Sequence, residues 1–488
     1  MFCLSVRCSI QTTSTVCYQR FQLSRRIMSL SKPWSTLKRL SITSGVLLLG
    51  LALHGVPTTV RADNPLVQTI YTADPAPMVH DGRVYVFTTH DEDGATYFDM
   101  HDWHVFSTDD MANWQDHGAV LSLDDFSWAD LNAWAGQAIE RNGKFYFYVP
   151  MRVTGSQMGI GVAVSDSITG PYADARGSPL VVDGEIDPTV FIDDDEQAYL
   201  FWGNPHLWYA KLNDDMISFA EEPRQIELTV EGFGPREGSD TDRATAYEEG
   251  PWLYKRNGTY YLVYAANCCS EDIRYATGPS VTGPWTYGGI VMETEGRSFT
   301  NHPGVVDYEG NSYFFYHNGA LPGGSGYARS VAAEDFTYNP DGSIPQIRMT
   351  DAGPVQIRSL DPYVRQEAET AAWSQGVETE PSSAGGICVG WINPGDYIKV
   401  KGVDFGDGGA SSFSASVASG GPGGTIELRL GGTSGTRIGS CDVSPTGGYQ
   451  TWKTVRCDVS GAEGTHDLYF VFRGSGEGLF NFDWWQFE

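Results

Sequence analysis

The chain has 488 residues with 41% apolar side chains and 57 glycines, enough for packed cores but composed for tight turns rather than long helices. Its 61 acidic against 32 basic residues give a formal charge of −29, which repels nucleic acid and anionic lipid and so argues against both as partners. A neutral polysaccharide is indifferent to that sign, and the length points to two folded units of an all-β class.

Residues 1–62 carry eight Lys or Arg and no acid, so the remainder holds 24 basic against 61 acidic residues, a formal charge of −37. Within them the apolar run 45–53 follows Lys38-Arg39 and precedes Val60-Arg61-Ala62. Basic flank, short apolar core and small residues at the exit describe a secretion signal too short to span a membrane comfortably. Met28 is an alternative start. The expectation is a secreted, extracellular monomer. Beyond this leader lie Cys268, Cys269, Cys388, Cys441 and Cys457, an odd number that cannot all pair within one chain. Cys441 and Cys457 stand in neighbouring strand-like segments and suit a bridge, whereas Cys268-Cys269 reads either as a vicinal disulfide or as small buried residues.

From residue 63 to 358 a short aromatic strand signal recurs around Tyr85, Tyr146, Tyr199, Tyr261 and Tyr313, at intervals of 52 to 62 residues. Gly or acidic turns such as His-Asp-Gly82 and Arg-Asn-Gly258 precede these strands and mark hairpins. A third strand follows in each unit, ending at Ser107, Ser165, Lys211, Thr277 and Ser330. Five sheet-like units, none able to bury both faces alone, predict a five-bladed β-propeller.

About 11 or 12 residues before each tyrosine, where the innermost strand of a blade belongs, stand Asp74-Pro, Ala135-Gly, Asp187-Pro, Glu249-Gly and His302-Pro. Each acid alone has an ordinary explanation, since Asp-Pro and Glu-Gly pairs often start or end strands through local bonds. Three acids converging on one axis are harder to explain that way, because gathering like charges costs stability. Hydrolysis of a glycosidic bond needs one carboxyl to protonate the leaving oxygen and one carboxylate to activate water, and a third acid raises the proton affinity of the first. Trp103, Trp134, Trp202 and Phe98 are candidate apolar walls for a sugar ring, against the alternative that they merely pack blades together.

The strings Thr-Ala-Asp74-Pro-Ala-Pro, Glu-Ile-Asp187-Pro-Thr-Val and Tyr-Glu-Glu249-Gly-Pro-Trp resemble glycoside hydrolase family 43 over residues 64–350. The resemblance implies Asp74 as general base, Glu249 as general acid, Asp187 as modulator of the acid's pKa, and inversion at the anomeric carbon. Glu248 is set aside as the acid because adjacent strand residues face opposite sides. His317 resembles the family's central histidine, which helps hold an ion or water on the axis, although a satisfied core histidine is the equal alternative. Arg329 resembles a substrate contact. Within the family the segments His-Asp-Glu-Asp-Gly94, Leu-Phe-Trp-Gly203 and Tyr-His-Asn-Gly319 are similar to those of arabinoxylan arabinofuranohydrolases and of dual β-xylosidase/arabinofuranosidases. The expected activity is release of α-L-arabinofuranosyl side chains from arabinoxylan. β-Xylosidase or dual activity is one alternative, and a non-catalytic polysaccharide-binding protein is the other.

Near residue 360 the repeat stops and Gly/Ser-rich hairpins begin, which predicts a β-sandwich of jelly-roll type over residues 364–488. No long linker separates it from the propeller, so the two are expected to pack together. Gln-Glu-Ala-Glu369, Asn-Pro-Gly-Asp-Tyr397 and Leu-Phe-Asn481-Phe-Asp483-Trp-Trp resemble carbohydrate-binding module family 6. That resemblance implies Tyr397 and Trp452 sandwiching a pyranose, with Asn481 bonding it. Glu367, Glu369 and Asp483 suit a structural calcium ion, or else form an exposed acidic edge.

Overall fold

The computed structural model describes residues 60–238 and 242–488; the secretion signal expected within residues 1–62 falls outside them except for its last three residues. Each tyrosine signal forms the second strand of a separate antiparallel sheet, so the five expected blades are present. Blade one contains β1 (Tyr71–His80), β2 (Arg83–Asp91), β3 (Asp102–Thr108) and β4 (Trp114–Ser122). The central strands of the other blades are Lys144–Val153, Ala198–Trp202, Thr259–Ala266 and Asn311–Asn318. They bury Phe147, Leu200, Val263 and Phe315 within nearly continuous buried runs, as strands covered on both faces by neighbouring blades require.

The last blade departs from expectation. Its third strand is Ser330–Phe336, so Tyr327–Arg329 lie ahead of it rather than within it. The N-terminal segment runs beside this strand: Leu66 N–H donates to Val331 O (2.8 Å), and Asn64 exchanges side-chain bonds with Ala333. Arg61 and Ala62, assigned to the leader by sequence, belong to this folded body. Arg61 bridges Val355 and ion-pairs with Asp335 (2.5 Å), and Ala62 is buried.

Residues 366–487 form one antiparallel sheet of eleven strands that curls around a separate core containing Phe413, Phe470, Phe482 and Trp485. The Cys441–Cys457 disulfide is present, Cys268–Cys269 is also bonded, and Cys388 is free and buried. The two domains share a polar seam, as the missing linker suggested. Thr370–Ala371 pair with β4 as a fifth strand of blade one, and Lys401 reaches Asp63 Oδ1 (2.7 Å) and the carbonyl of Arg61 (2.6 Å).

Candidate active site

The innermost strands carry their acids on irregular backbone. Asp74 and Asp187 have φ of +54° and +59°, a left-handed conformation that is unusual for a side chain followed by proline. A register shift in β1 between Ala73 and Ala76, and another around Glu249, turn these residues out of the ladder. Gly250, with φ +59°, stands where a side chain would be strained and its Cβ would press on His302 Nδ1 at 3.1 Å. Strained backbone at acids that meet in one hollow is a mark of a functional centre.

Asp74, Asp187 and Glu249 line one hollow of about 300 Å³ together with Phe98, Trp134, His317 and Arg329. Asp74 receives Arg329 Nη1 on one carboxylate oxygen (3.1 Å) and the Thr89 hydroxyl on the other (2.9 Å). Burial opposes its ionisation, but Arg329 and His317 outweigh burial and hold the carboxyl far below the usual range. Glu249 behaves oppositely. Burial pushes it up to about 7, against the hydrogen bond from Asn204, while the charges of Asp74 and Glu248 push it further. Asp187 is raised by burial and by the charges of Glu249 and Asp74, although Gly250 N–H donates to its Oδ2 (3.0 Å). Asp187 and Glu249 therefore share a tendency to keep one proton between them. One hollow thus contains an ionised acid and a protonated one, the division that acid–base chemistry at neutral pH requires.

Glu248 is excluded from that chemistry by its partners, Arg236 (2.8 Å) and Arg243 (2.7 Å). Arg329 is buried and fixed by Asp91, which accepts its Nε (2.9 Å) and Nη2 (2.8 Å), and its guanidinium lies over Phe98. His317 lines the hollow as a satisfied core histidine. Its Nδ1 accepts the Asp74 N–H (3.2 Å) and its Nε2 lies 3.0 Å from Thr300 O.

Two tryptophans differ from expectation. Trp103 and Trp202 are fully buried and do not reach the hollow. Trp103 points into the inter-blade core and donates its indole N–H to Trp134 O (2.8 Å), supporting the wall from behind. Trp202 stacks on Phe219 and donates to Asp183 Oδ2 (2.9 Å). Sequence reasoning missed Asn204, Asp91 and Glu271, although Asp91 lies in the quoted His-Asp-Glu-Asp-Gly94 string. Glu271 lines the hollow beside the Cys268–Cys269 disulfide.

In the second domain Trp452 and Asn481 join one polar cluster. Asn481 Nδ2 donates to Glu380, Gln450 Nε2 donates to the same carboxylate (3.1 Å), and Trp452 Nε1 donates to Ser383 Oγ (3.1 Å), which in turn bonds Gln450. Tyr397 is not part of it. Its ring faces Tyr469 at 5.9 Å, in a groove that also includes Trp373 and Asp63. Two exposed aromatics stand beside the cluster: Tyr449, whose carbonyl accepts from Asn481 Nδ2 (3.0 Å), and the more open Trp391, 51% accessible at φ +53°, directly after Gly390, where a side chain would crowd Asn481 Oδ1. Of the calcium set, Glu369 is buried with one carboxylate oxygen unpartnered among the described residues, which fits a hard cation. Arg365 lies 2.9 Å from Glu367 and 3.9 Å from Asp483.

Residues 62–344 match the family model of glycosyl hydrolases family 43, and residues 367–488 match carbohydrate binding module family 6. The chain belongs to glycosyl hydrolase family 43. This family 43 chain is 35% identical to an arabinoxylan arabinofuranohydrolase of Bacillus subtilis, over 93% of its own length and 98% of the relative's. A xylosidase/arabinosidase of Bacteroides ovatus is 33% identical over 59% of the chain and 98% of the relative. Among solved structures, a family 43 arabinoxylan arabinofuranohydrolase from Bacillus subtilis in complex with cellotetraose superposes with a TM-score of 0.75 at 34% identity, covering 88% of this chain and 99% of that one.

Proposed function

We propose that the protein is an inverting α-L-arabinofuranosidase that removes arabinofuranosyl side chains from arabinoxylan while its second domain holds the polysaccharide. The observation that carries this reading is the opposed protonation of Asp74 and Glu249 within one hollow. Glu249 donates its proton to the glycosidic oxygen as the bond to the arabinose anomeric carbon lengthens. Asp74 takes a proton from a water molecule attacking that carbon from the opposite face, so the configuration inverts. Asp187, when ionised, raises the proton affinity of Glu249, and Arg329 keeps Asp74 ionised and oriented. A hollow of about 300 Å³ suits one terminal sugar with part of the next, which favours removal of a side chain over cleavage within a polymer.

Like-charge crowding on the axis argues against a binding-only propeller, because adhesion has no use for it. Dual β-xylosidase/arabinofuranosidase action is the second reading, supported by relatives named xylosidase/arabinosidase that match 57% and 59% of the chain. Arabinose released from arabinoxylan polymer, with the β-anomer first by proton NMR, supports the proposal. Xylose from xylooligosaccharides without arabinose, or the α-anomer first, overturns it.

In the second domain Trp391 and Trp452 are assigned as the sugar-stacking faces and Asn481 as the hydrogen-bonding group, supported by exposure and by the polar cluster. Glu367, Glu369 and Asp483 are assigned to a structural calcium ion, which would neutralise the buried Glu369 carboxylate; a chelator then lowers the melting temperature without altering the chemistry. The basic, acid-free leader and the Cys441–Cys457 disulfide support an extracellular location. Fusion of residues 1–62 to a reporter that is active only after export tests that placement.

A further inference from the structure

Behind the wall of the hollow lies a cluster that the glycosidase chemistry does not use. His90 on β2 and Asp102 and His104 on β3 alternate with Asp91 and Trp103, so they share the opposite face of the same two strands. His90 Nδ1 and His104 Nε2 lie 3.0 and 3.3 Å from the same oxygen, Asp102 Oδ1. All three donor atoms fall within 4.8 Å of one another. A tetrahedral ion with bonds of about 2.05 Å separates its ligands by about 3.3 Å, so these spacings suit one metal.

His104 supplies an independent observation. Both its ring nitrogens are shielded from solvent; Nε2 meets only the long contact to Asp102 Oδ1 (3.3 Å), and Nδ1 has no partner among the described residues. Buried ring nitrogens so poorly satisfied are costly unless something binds them. The side chains remain 20%, 26% and 13% accessible in the order His90, Asp102, His104, which leaves an entry path and room for water as a fourth ligand.

We propose that His90, Asp102 and His104 form a binding site for a borderline divalent transition metal of the zinc type. Two imidazoles and one carboxylate favour such an ion over calcium or magnesium, which prefer all-oxygen shells. Its position implies a bracing role. The strand neighbours of the three ligands are Asp91, which fixes Arg329, and Trp103, whose indole supports Trp134. An ion there would clamp β2 to β3 behind Asp91 and Trp103, the residues that hold Arg329 and Trp134 in the lining of the hollow.

Full-length protein stripped with a chelator is titrated with Zn²⁺, followed by calorimetry and melting temperature, and with Co²⁺, followed by visible absorption. One equivalent of Zn²⁺ is expected to bind, to resist millimolar Ca²⁺, and to raise the melting temperature by several degrees when in about hundredfold excess over its dissociation constant. His104→Gln is expected to weaken binding at least about a hundredfold. His101→Gln, which alters the exposed histidine paired with Asp99, is expected to leave binding unchanged. Absence of stoichiometric binding, or equal binding by His104→Gln, overturns the site. If His104→Gln fails to fold, the wild type decides: electron paramagnetic resonance of bound Cu²⁺ must show coupling to two imidazole nitrogens, and coupling to fewer rejects the proposal.

Discussion

The hollow of the propeller and the sugar-facing cluster of the second domain treat polar groups in opposite ways. In the hollow, three carboxyl groups are gathered on one axis, two on left-handed backbone, and each is shifted from its ordinary proton affinity by burial and by its neighbours. In the second domain the amide of Asn481 is tied to Glu380 and to Tyr449 O (3.0 Å), and an exposed indole stands beside it on a loop. Chemistry requires groups whose charge is out of balance until the transition state forms, whereas adhesion needs only a flat apolar face and fixed hydrogen bonds.

The largest effect that separates them is on turnover. Glu249→Gln should lower kcat on arabinoxylan by about a thousandfold or more, since it removes the proton donor, while retention on insoluble arabinoxylan in an affinity gel stays unchanged. Asp74→Asn should do the same and also leave Arg329 with one fewer buried carboxylate partner. Loss of retention together with turnover in either variant would dissolve the distinction between the two regions.

The reverse experiment is smaller in size. Trp452→Ala or Trp391→Ala should weaken binding to insoluble arabinoxylan by about tenfold, the worth of a stacked ring, with turnover of a small aryl arabinoside unaltered. Tyr397→Ala, measured alongside, should leave binding unchanged, because that ring faces Tyr469 away from the Asn481 cluster. The distinction was not legible in the sequence. Tyr397 opens a strand next to a Gly-Asp turn and looks like an outward aromatic, while Trp391 adopts a left-handed loop position that no strand pattern announces. The same difficulty affected Trp103 and Trp202. Alternation places them on one face of a sheet, but in a propeller both faces are apolar and only one edge meets the axis. What was legible rests on repetition: five tyrosine strands at regular spacing fixed the blades, and the offset from each tyrosine located the axial acids. Asn204 and Asp91, which tune Glu249 and Arg329, belong to connecting segments or strand ends and repeat nowhere.

A pH profile sharpens the picture of the hollow itself. Glu249 must be protonated to act, and its pKa is raised to about 7, so activity should be full below that value and fall as pH rises through it. Asp74 is held far below the usual carboxylate range, so the acidic limb should fall well outside the neutral region. A carboxyl that gains proton affinity on folding adds stability below its unfolded pKa, and that contribution is lost as pH rises through about 7. The melting temperature should therefore decline from the ordinary carboxylate range up to about pH 7 and level off there, where the fall in activity begins. Asp187→Asn removes a negative neighbour and should move the alkaline limb of kcat/KM to lower pH. A limb that stays in place would remove Asp187 from the role of modulator.

The smallest effect concerns the seam that joins the two regions. Lys401 is buried, and its ammonium serves the carbonyls of Arg61 (2.6 Å) and Ala62 (3.0 Å) and the carboxylate of Asp63 (2.7 Å), while its backbone N–H donates to Asn113 Oδ1 (2.8 Å). Lys401→Met keeps the length of the stem but leaves two carbonyls without their charged donor and Asp63 with Lys399 alone. The cost should be about 1–3 kcal/mol, a fall of a few degrees in melting temperature. Turnover of a small aryl arabinoside should not change, because the seam lies at Asp63 and the outer strand of blade one, away from the axis. Turnover of the polymer should fall only if the second domain must present its bound chain to the hollow in a fixed orientation. A drop on the polymer without one on the small substrate would therefore show that the seam acts as more than a structural joint.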